Sequence, residues 1–456
     1  MDNEISLCMI VKDEEKTLPV CLNSIKDLVD EIIIVDTGSK DKTIDIAKSF
    51  SAKIYSFNWN NDFSEARNES LKHATKDWIL IMDADEELYL EDKERLRALL
   101  SSELKEDAIY FFQGISYLGE KIDEGNITTS LNPRLFKNNR GIHYEGQIHN
   151  QLVYISNEVS VIEEYIKIHH YGYLNEKIIL KKKPDRNIPI LEEQIKRNSK
   201  DGFAYFNLGT EYYYLGSIEK ALDYYYKSYE EFDYNLGYSS RLILRIALAN
   251  YELKRFSEAL RFVDIGVKYF EKCTDLYYVK SLIYKELNET NMQIDALNMC
   301  INIGESPAKF KYLSGTGSYG AYNELGNIYM KLNDYDKAYN YFSEVIKLKP
   351  DYIVPLCNII QMIYKQDIPL EEIKLKVENL FDDYPKAYYI IAEAFYHEGH
   401  YEISLEYASK CKASGIANEN TRKLKLNSLQ KITNPMFSNE SNVNKESKLE
   451  VERYEE

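Results

Sequence analysis

The chain lacks the features that would place it in a membrane, in a secretory pathway or on nucleic acid. No stretch approaches the roughly 18–20 apolar residues that a membrane-spanning helix needs. The acidic first four residues have neither the basic nor the apolar region of a signal peptide. Lys and Arg number 57 against 74 Asp and Glu, which gives a net charge of −17. Because sequence-independent nucleic-acid binding depends on basic side chains that neutralise phosphates, this charge argues against it.

Cysteine is sparse and scattered. The six cysteines form no CxxC pair and no Cys/His spacing typical of a zinc site. They are Cys8, Cys21, Cys273, Cys300, Cys357 and Cys411. We therefore expect reduced, mostly buried thiols in a cytoplasmic protein.

Length and tyrosine content both indicate more than one kind of core. The 456 residues exceed the usual length of one domain, about 100–200 residues, so we expect two or more domains. The chain has 40 Tyr against 17 Phe and 2 Trp. Tyr has a ring that can be buried and a hydroxyl that can stay in water, so the excess indicates many half-buried positions.

The first 130 residues alternate short apolar runs with helix-like stretches. Strand-length runs lie at 5–11, 32–35, 53–57 and 78–82, and helical spacing appears at 14–27, 43–50 and 64–73. This alternation predicts βαβ units and a parallel sheet. Ligands of such sheets bind beyond the carboxyl ends of the strands. Acidic residues follow the predicted strands there, namely Asp36, Asp83 and Asp85.

From about residue 200 helical periodicity takes over, and the sequence repeats. Two copies of the repeat, at 204–229 and 321–350, match at nearly the same offsets. The first has Tyr205, Leu208, Gly209, Tyr212, Ala221 and Tyr225, and the second has Tyr322, Leu325, Gly326, Tyr329, Ala338 and Phe342. This is the tetratricopeptide pattern, a helix-turn-helix of ~34 residues. Weaker copies at 246–270, 277–301 and 389–411 bring the prediction to five or six helix pairs, whose packing would use most of the tyrosines.

The motif Asp83-Ala84-Asp85 follows the apolar run at 78–82. Two carboxylates separated by one residue at a strand end can face one divalent cation, directly and through water. Oxygen ligands suit Mg²⁺ or Mn²⁺ bridging a diphosphate. Acidic pairs are also common in exposed turns, so the pair alone is a weak signal.

Four segments, in this order and spacing, resemble family 2 glycosyltransferases: residues 6–15, 31–43, 66–68 and 78–85. With the repeats behind them, the chain is similar to the branch that joins a family 2 domain to a helical repeat domain. That branch includes the bacteriocin S-glycosyltransferases, which attach a sugar to a peptide cysteine. The resemblance implies a GT-A fold, a UDP-sugar donor and a divalent metal, Mn²⁺ or Mg²⁺.

The resemblance also implies roles for single residues at the donor site. The implied nucleotide-sugar contacts are Val11, Glu14, Asp36, Arg67, Asp83 and Ala84. Asp36 would contact the uracil or ribose, Arg67 the base, and Asp83 the ribose. Structural alternatives stay open for two of them, a helix N-cap or turn acid for Asp36 and a surface ion pair for Arg67. Asp85 would bind the metal, and His170 is the candidate for the late histidine that completes the metal shell.

A second cluster, residues 132–150, carries the implied catalytic groups. Arg134, Gly146 and His149 match the branch, whereas Asn150 stands where a glutamate usually follows the histidine. If that glutamate were the general base, Glu145 or His149 would have to replace it, and both remain open. Arg134 is the candidate for stabilising the diphosphate.

The predicted organisation is a GT-A domain over 1–172, a helical connector over 173–200, a tetratricopeptide solenoid over 201–430 and a disordered polar tail over 431–456. The expected function is metal-dependent, inverting hexose transfer to an acceptor held by the repeats, a peptide or protein side chain (Cys or Ser/Thr). An enzyme acting on cell-surface polysaccharide and a non-catalytic repeat scaffold are the alternatives. Because solenoids frequently self-associate, a homo-oligomer is also compatible with the sequence.

Overall fold

The computed structural model describes residues 3–117, 127–154, 159–171, 183–307, 309–366, 368–381, 384–413 and 419–433. The start of the predicted connector and nearly all of the predicted tail lie outside these residues. The chain divides into two compact units, Met1–Cys273 with Pro307–Ser314, and Thr274–Ser306 with Gly315–Glu456. The predicted boundaries at 172, 200 and 430 remain predictions.

The first unit contains an eight-stranded sheet with the order β3-β2-β1-β4-β7-β6-β10-β5. Its strands are β1 (Ile5–Val11), β2 (Glu31–Asp36), β3 (Lys53–Ser56), β4 (Trp78–Ile81), β5 (Glu86–Leu88), β6 (Ala108–Tyr117), β7 (Ile127–Lys137) and β10 (Ser160–His170). Two short strands, β8 (His143–Glu145) and β9 (Gln151–Val153), form a separate antiparallel pair. Strands β3, β2, β1 and β4 are mutually parallel, as predicted, and β7 joins them antiparallel.

Four helices connect the strands of the first half. They are α1 (Leu18–Ile25), α2 (Thr43–Ser49), α3 (Phe63–Lys72) and α4 (Leu90–Leu100). Successive side chains of β1 point to opposite faces of the sheet, and both faces are buried. Leu7 and Met9 pack in one cluster with Leu18 of α1, whereas Cys8 packs with Ile33 on the other face. Parallel sheets are usually covered on both faces in this way. The predicted α/β sheet fold is confirmed.

The rest of the described chain is helical. The first unit adds α5 (Lys183–Arg197), α6 (Gly202–Tyr214), α7 (Ile218–Glu230), α8 (Ser239–Glu252) and α9 (Phe256–Tyr269). The second unit has α10 (Thr274–Glu286), α11 (Thr290–Ile303), α12 (Tyr319–Lys331), α13 (Tyr335–Leu348), α14 (Ile353–Tyr364), α15 (Leu370–Glu378), α16 (Ala387–His397), α17 (Tyr401–Ala413) and α18 (Glu419–Thr433). From α6 to α17 the described helices form six consecutive pairs, and α18 follows them. The predicted helical repeats are confirmed.

Small residues at fixed offsets allow the paired helices to approach. A Cβ atom added to Gly209 of α6 would lie 2.7 Å from the ring of Tyr225 on α7. The equivalent atom on Gly326 of α12 would lie 2.5 Å from the ring of Phe342 on α13. Both aromatic side chains are fully buried. The repeated Gly and aromatic positions in the sequence are therefore packing partners, as expected for this repeat. No helix among the described residues is long and apolar enough to cross a membrane.

Candidate active site at the carboxyl ends of the parallel strands

One side of the candidate site is formed by the residues at the carboxyl ends of β1 and β2. Val11 pairs in register with Asp36, so both residues reach the same edge of the sheet. The Asp36 carboxylate is 5% exposed and accepts hydrogen bonds from the backbone N–H groups of Gly38 at 3.0 Å and Ser39 at 3.1 Å. Val11 accepts one from the N–H of Thr37 at 3.0 Å. Asp36 thus stabilises the turn after β2, as a turn acid would. It also lies at the edge of the sheet where a ligand would bind.

The loops after β1 and β2 are bound to each other through side chains. The carboxylate of Asp13 accepts from the N–H of Lys40 at 2.7 Å, and the N–H of Glu14 donates to Thr43 Oγ1 at 2.7 Å. The Glu14 carboxylate accepts from Thr17 Oγ1 at 2.6 Å. Asp13 has a φ of 53°, an uncommon conformation for a residue other than Gly. Glu14 therefore lies in a pair of hydrogen-bonded loops beside the strand ends.

Arg67 and Asp83 form the central ion pair of the site. Arg67 lies on α3 and donates from Nη2 to Asp83 Oδ1 at 2.6 Å. Its side chain is 15% exposed, so the pair is not the surface ion pair of the alternative interpretation. Burial alone would raise the pKa of Asp83, but the nearby guanidinium groups of Arg67 and Arg134 hold that pKa below its ordinary value. Asp83 is thus kept as a carboxylate.

Asp85 and His170 lie together at the end of the motif. Oδ1 of Asp85 is 3.5 Å from Nε2 of His170, and both side chains are largely buried. His170 is at the end of β10, and the backbone N–H of Tyr171 donates to the carbonyl oxygen of Asp85 at 3.2 Å. Ala84 between the two acids is 4% exposed and packs in the core. Any contact of Ala84 with a donor would therefore have to come from its backbone.

The fit of a divalent metal depends on these two side chains. Among the described residues no group of three or more His, Cys, Asp or Glu side chains could hold a metal ion. The carboxylate oxygen of Asp85 and the imidazole nitrogen of His170 are nevertheless close enough to bind the same ion. An ion held there would take its other ligands from water and from substrate phosphates, as Mg²⁺ usually does.

Arg134 is buried beneath the acidic motif instead of facing solvent. It donates from Nη1 and Nη2 to the two carboxylate oxygens of Glu86, at 2.8 Å and 2.5 Å. Glu86 also accepts from the N–H of Asp83 at 2.8 Å. Both partners of this ion pair are almost completely buried. The expected direct contact of Arg134 with a diphosphate is therefore corrected: the side chain holds the turn that carries Asp83 and Asp85.

Of the two candidate bases, Glu145 lies on the surface. Its side chain is 64% exposed and contacts Nε2 of His143 at 3.1 Å. Hydrogen bonds to Gly141 and Glu145 raise the pKa of His143. His149 has a φ of 51° and places Nε2 3.8 Å from Oε1 of Glu211 on α6. His149 thus faces a buried carboxylate, whereas Glu145 faces solvent.

The segment that carries these candidates is attached to α3. Asn68 of α3 donates to the carbonyl oxygen of Tyr144 at 2.8 Å and accepts from its N–H at 2.7 Å. One turn earlier, Ser64 Oγ donates to the carbonyl oxygen of Gly146 at 2.6 Å. The ring centroid of Tyr144 lies 5.5 Å from Cζ of Arg67. Helix α3 thus carries the ion pair with Asp83 and also supports the loop that leads to His149.

Comparison with known proteins agrees with this geometry. Residues 6–149 match the family model described as glycosyl transferase family 2, and residues 319–352 match the tetratricopeptide repeat model. The chain has a family 2 glycosyltransferase domain followed by tetratricopeptide repeats. The glycosyltransferase domain contains Val11, Asp36, Arg67, Asp83 and the candidates up to His149, whereas His170 lies beyond the matched residues.

Three relatives show the extent of the similarity. The chain is 35% identical over 217 residues to a TPR repeat-containing protein of Synechococcus elongatus, covering 45% of this chain and 51% of the relative. It is 29% identical over 287 residues to glycosyltransferase SunS of Bacillus phage SPbeta, covering 61% of this chain and 66% of the relative. An uncharacterized glycosyltransferase of Rickettsia typhi is 35% identical over 104 residues, covering 22% of this chain and 34% of the relative. The chain thus spans between about half and two thirds of the first two of these relatives.

Four residues that contact or support the candidate site could not be identified from the sequence. Glu86 and Tyr144 lie inside or beside motifs that were recognised, but nothing in the sequence indicated that they contact arginines. Asn68 is the last residue of the motif at 66–68, and the motif does not indicate its contact with Tyr144. Glu211 lies in the repeat region, where its neighbours predicted helix packing and gave no signal of a site.

Proposed function

We propose that this chain transfers a hexose from a UDP-sugar to an acceptor, in a metal-dependent reaction that inverts the anomeric carbon. The observation that carries the proposal is the acidic turn after β4, where Asp83 is paired with Arg67 and Asp85 lies beside His170. This turn lies at the carboxyl end of a parallel strand, where ligands of such sheets bind.

The proposed donor contacts follow from the chemistry of the strand ends. Carboxylates accept hydrogen bonds from ribose hydroxyls and from the uracil N–H. Asp36 and Asp83 both present carboxylates at this edge, and Asp83 stays ionised because of its arginine partner. Arg67 has its Nε buried without a hydrogen-bond partner among the described residues. That free donor supports a contact of Arg67 with an acceptor atom of the donor nucleotide.

Asp85 and His170 are the two side chains that would hold a Mn²⁺ or Mg²⁺ ion. When bound, such an ion offsets the negative charge that grows on the leaving diphosphate. Arg134 does not contact the ion in this proposal. Its ion pair with Glu86 holds the turn that carries Asp83 and Asp85.

In the proposed reaction the acceptor atom attacks the anomeric carbon as the bond from that carbon to the diphosphate oxygen breaks. The acceptor proton passes to a base within hydrogen-bond reach, and His149 is the proposed base. A thiol acceptor would need less help, because a thiolate forms more readily than an alkoxide.

We further propose a peptide or protein side chain as the acceptor, with the repeats as its binding surface. Helical repeats present extended surfaces that suit extended chains. A cytoplasmic location is part of the proposal and is supported by the scattered, mostly buried cysteines, which show none of the spacing of a disulfide framework. Self-association of the solenoid stays a prediction.

Release of UDP tests the donor half of the proposal. The full chain is incubated with a panel of UDP-hexoses and with Mn²⁺ or Mg²⁺, and free UDP is measured. We expect metal-dependent release from at least one donor, and we expect Asp85→Ala to abolish it. Asp45→Ala is the control, because Asp45 is 82% exposed on α2. No release from any donor would favour the non-catalytic scaffold.

The acceptor half needs a second experiment. Peptides that carry Cys, Ser or Thr are incubated with the active donor, and the mass gain of one hexose is sought by mass spectrometry. Modified peptides support the proposal. Transfer to glycan or lipid-linked sugar acceptors without any modified peptide would favour the polysaccharide alternative.

A further inference from the structure

A carboxylate of the first repeat helix lies beside the proposed base. Glu211 of α6 is 7% exposed, and its Oε1 is 3.8 Å from Nε2 of His149. Asn187 of α5 donates from Nδ2 to the same oxygen at 2.6 Å, and Asn187 is also buried. The three side chains form a series in which an amide fixes a carboxylate and the carboxylate faces an imidazole.

We infer that Glu211 is a positioning residue for the transfer reaction and acts through His149, an inference that rests on the proposed function. A buried carboxylate beside Nε2 favours the tautomer that carries the proton on that nitrogen. Nδ1 is then left with its lone pair, ready to take the proton of the acceptor. Orientation of a histidine base by a carboxylate is a recurrent arrangement in hydrolases, and contacts of this kind are often longer before substrate binds.

The position of His149 relative to the donor site follows from α3. Arg67 and Asn68 are neighbours on this helix, and they hold Asp83 and the backbone of Tyr144 respectively. The loop that ends in His149 is thus attached to the helix that carries the central ion pair. Glu211 approaches the same loop from the repeat side, so the first repeat helix contributes directly to the environment of the base.

Two buried amide groups lie in the segments that carry His149 and Glu211. The Nδ2 atoms of Asn150 and Asn207 are buried and have no hydrogen-bond partner among the described residues. Asn150 follows His149 in the chain, and Asn207 precedes Glu211 by one helical turn, which places it on the same face of α6. Because buried donors without partners are costly, an oxygen atom of water or of a ligand is expected to satisfy them.

The proposed step moves one proton and one electron pair. The O–H or S–H bond of the acceptor breaks, its proton goes to Nδ1 of His149, and the acceptor atom forms the bond to the anomeric carbon. The electron pair of the old carbon–oxygen bond leaves with the diphosphate. Glu211 remains a carboxylate and faces the resulting imidazolium.

If the role of Glu211 were purely structural, its hydrogen bond with Asn187 would join α5 to α6, and its removal would not affect catalysis through His149. A double-mutant cycle separates the two roles, with UDP-glucose, or whichever UDP-hexose the donor panel shows to be active, and with water as the acceptor. The variants are Glu211→Gln, His149→Gln and the double variant, and kcat and KM for UDP release are measured in Mn²⁺. Glu230→Gln on α7 is the matched control, because Glu230 is exposed.

We expect Glu211→Gln to lower kcat roughly 10- to 100-fold while KM changes less than about twofold. In the His149→Gln background the same substitution should change kcat less than about twofold. Glu211→Asp keeps the carboxylate and should retain an intermediate kcat. Additive effects of the two glutamine substitutions, or equal losses in the Asp and Gln variants, would overturn the inference. Absence of UDP release from the wild-type chain would instead overturn the proposed function and, with it, this inference.

Discussion

Nη2 of Arg67 donates to Oδ1 of Asp83 at 2.6 Å and so joins α3 to the end of β4. Removing the guanidinium leaves a half-buried carboxylate without its cation. We expect Arg67→Met to weaken UDP binding by about 10- to 100-fold, the loss expected for one charge-assisted hydrogen bond. Arg67→Lys keeps the charge but loses the planar fork, so an intermediate loss is expected. Titration calorimetry measures both, and wild-type affinity in Arg67→Met would contradict the donor site.

The buried pair of Arg134 and Glu86 should show in stability. Arg134→Met leaves the buried carboxylate uncompensated and should cost about 3–5 kcal/mol of unfolding free energy. The double variant Arg134→Met/Glu86→Leu removes both charges and should be less destabilised than Arg134→Met alone. Denaturant unfolding followed by tyrosine and tryptophan fluorescence measures both. Equal or greater destabilisation of the double variant would contradict the cost assigned to the uncompensated carboxylate.

Glu31 gives a prediction about pH. Burial alone would raise the pKa of Glu31, but hydrogen bonds from Lys53, Ser6 and Thr75 lower it to about 2. The folded-state pKa is thus below the unfolded value of about 4.3, so the ionised carboxylate stabilises the fold above that pH and the stabilisation is lost as pH falls towards 2. Glu31→Gln should lower the free energy of unfolding by about 1–3 kcal/mol at pH 7. The difference in this free energy between the variant and the wild type should shrink below about pH 4.

Urea unfolding between pH 3 and 7 measures this difference. Glu103→Gln is the control, because Glu103 is exposed. A difference between Glu31→Gln and wild type that stays constant with pH would contradict the assignment.

The close approach of α6 and α7 depends on Gly209. A methyl group there would lie 2.7 Å from the ring of Tyr225 and 3.0 Å from the carbonyl oxygen of Ala221. We expect Gly209→Ala to destabilise the first unit by about 1–3 kcal/mol, the usual cost of overpacking. Gly237→Ala is the control, since nothing lies within 4 Å of its added Cβ atom. A wild-type melting temperature for Gly209→Ala would refute the packing role.

Strands β2 and β4, which position the acidic residues of the site, were predictable because each contains an uninterrupted apolar run beside a polar turn. The run at 32–35 lies inside β2, and the run at 78–82 contains β4. Helix α1 begins at Leu18, later than expected, because Pro19 lies in its first turn. The carbonyl oxygen of Glu14 accepts from the N–H groups of Thr17 and Leu18, so a turn precedes the helix.

The later strands and several contacts of the site could not be read from the sequence. The long strands β6 and β7 interrupt their apolar residues with Gln113 and Asn132, so no simple pattern marks them. Arg134 and Glu86 are 48 residues apart in the chain and meet because β7 is inserted beside β4. Glu211 reaches His149 only through the packing of the first repeat helix, which local periodicity does not encode.

Asp85 and His170 form the proposed metal site for the diphosphate of a UDP-sugar. The most direct measurement is calorimetric titration of the full chain with UDP, with and without Mn²⁺. We expect Mn²⁺ to tighten UDP binding of the wild type at least about tenfold, equivalent to 1.4 kcal/mol. Asp85→Asn should lose this effect, whereas Asp45→Asn should keep it. Equal UDP affinity with and without Mn²⁺ in the wild type, or an unchanged Mn²⁺ effect in Asp85→Asn, would contradict a metal site at Asp85 and His170.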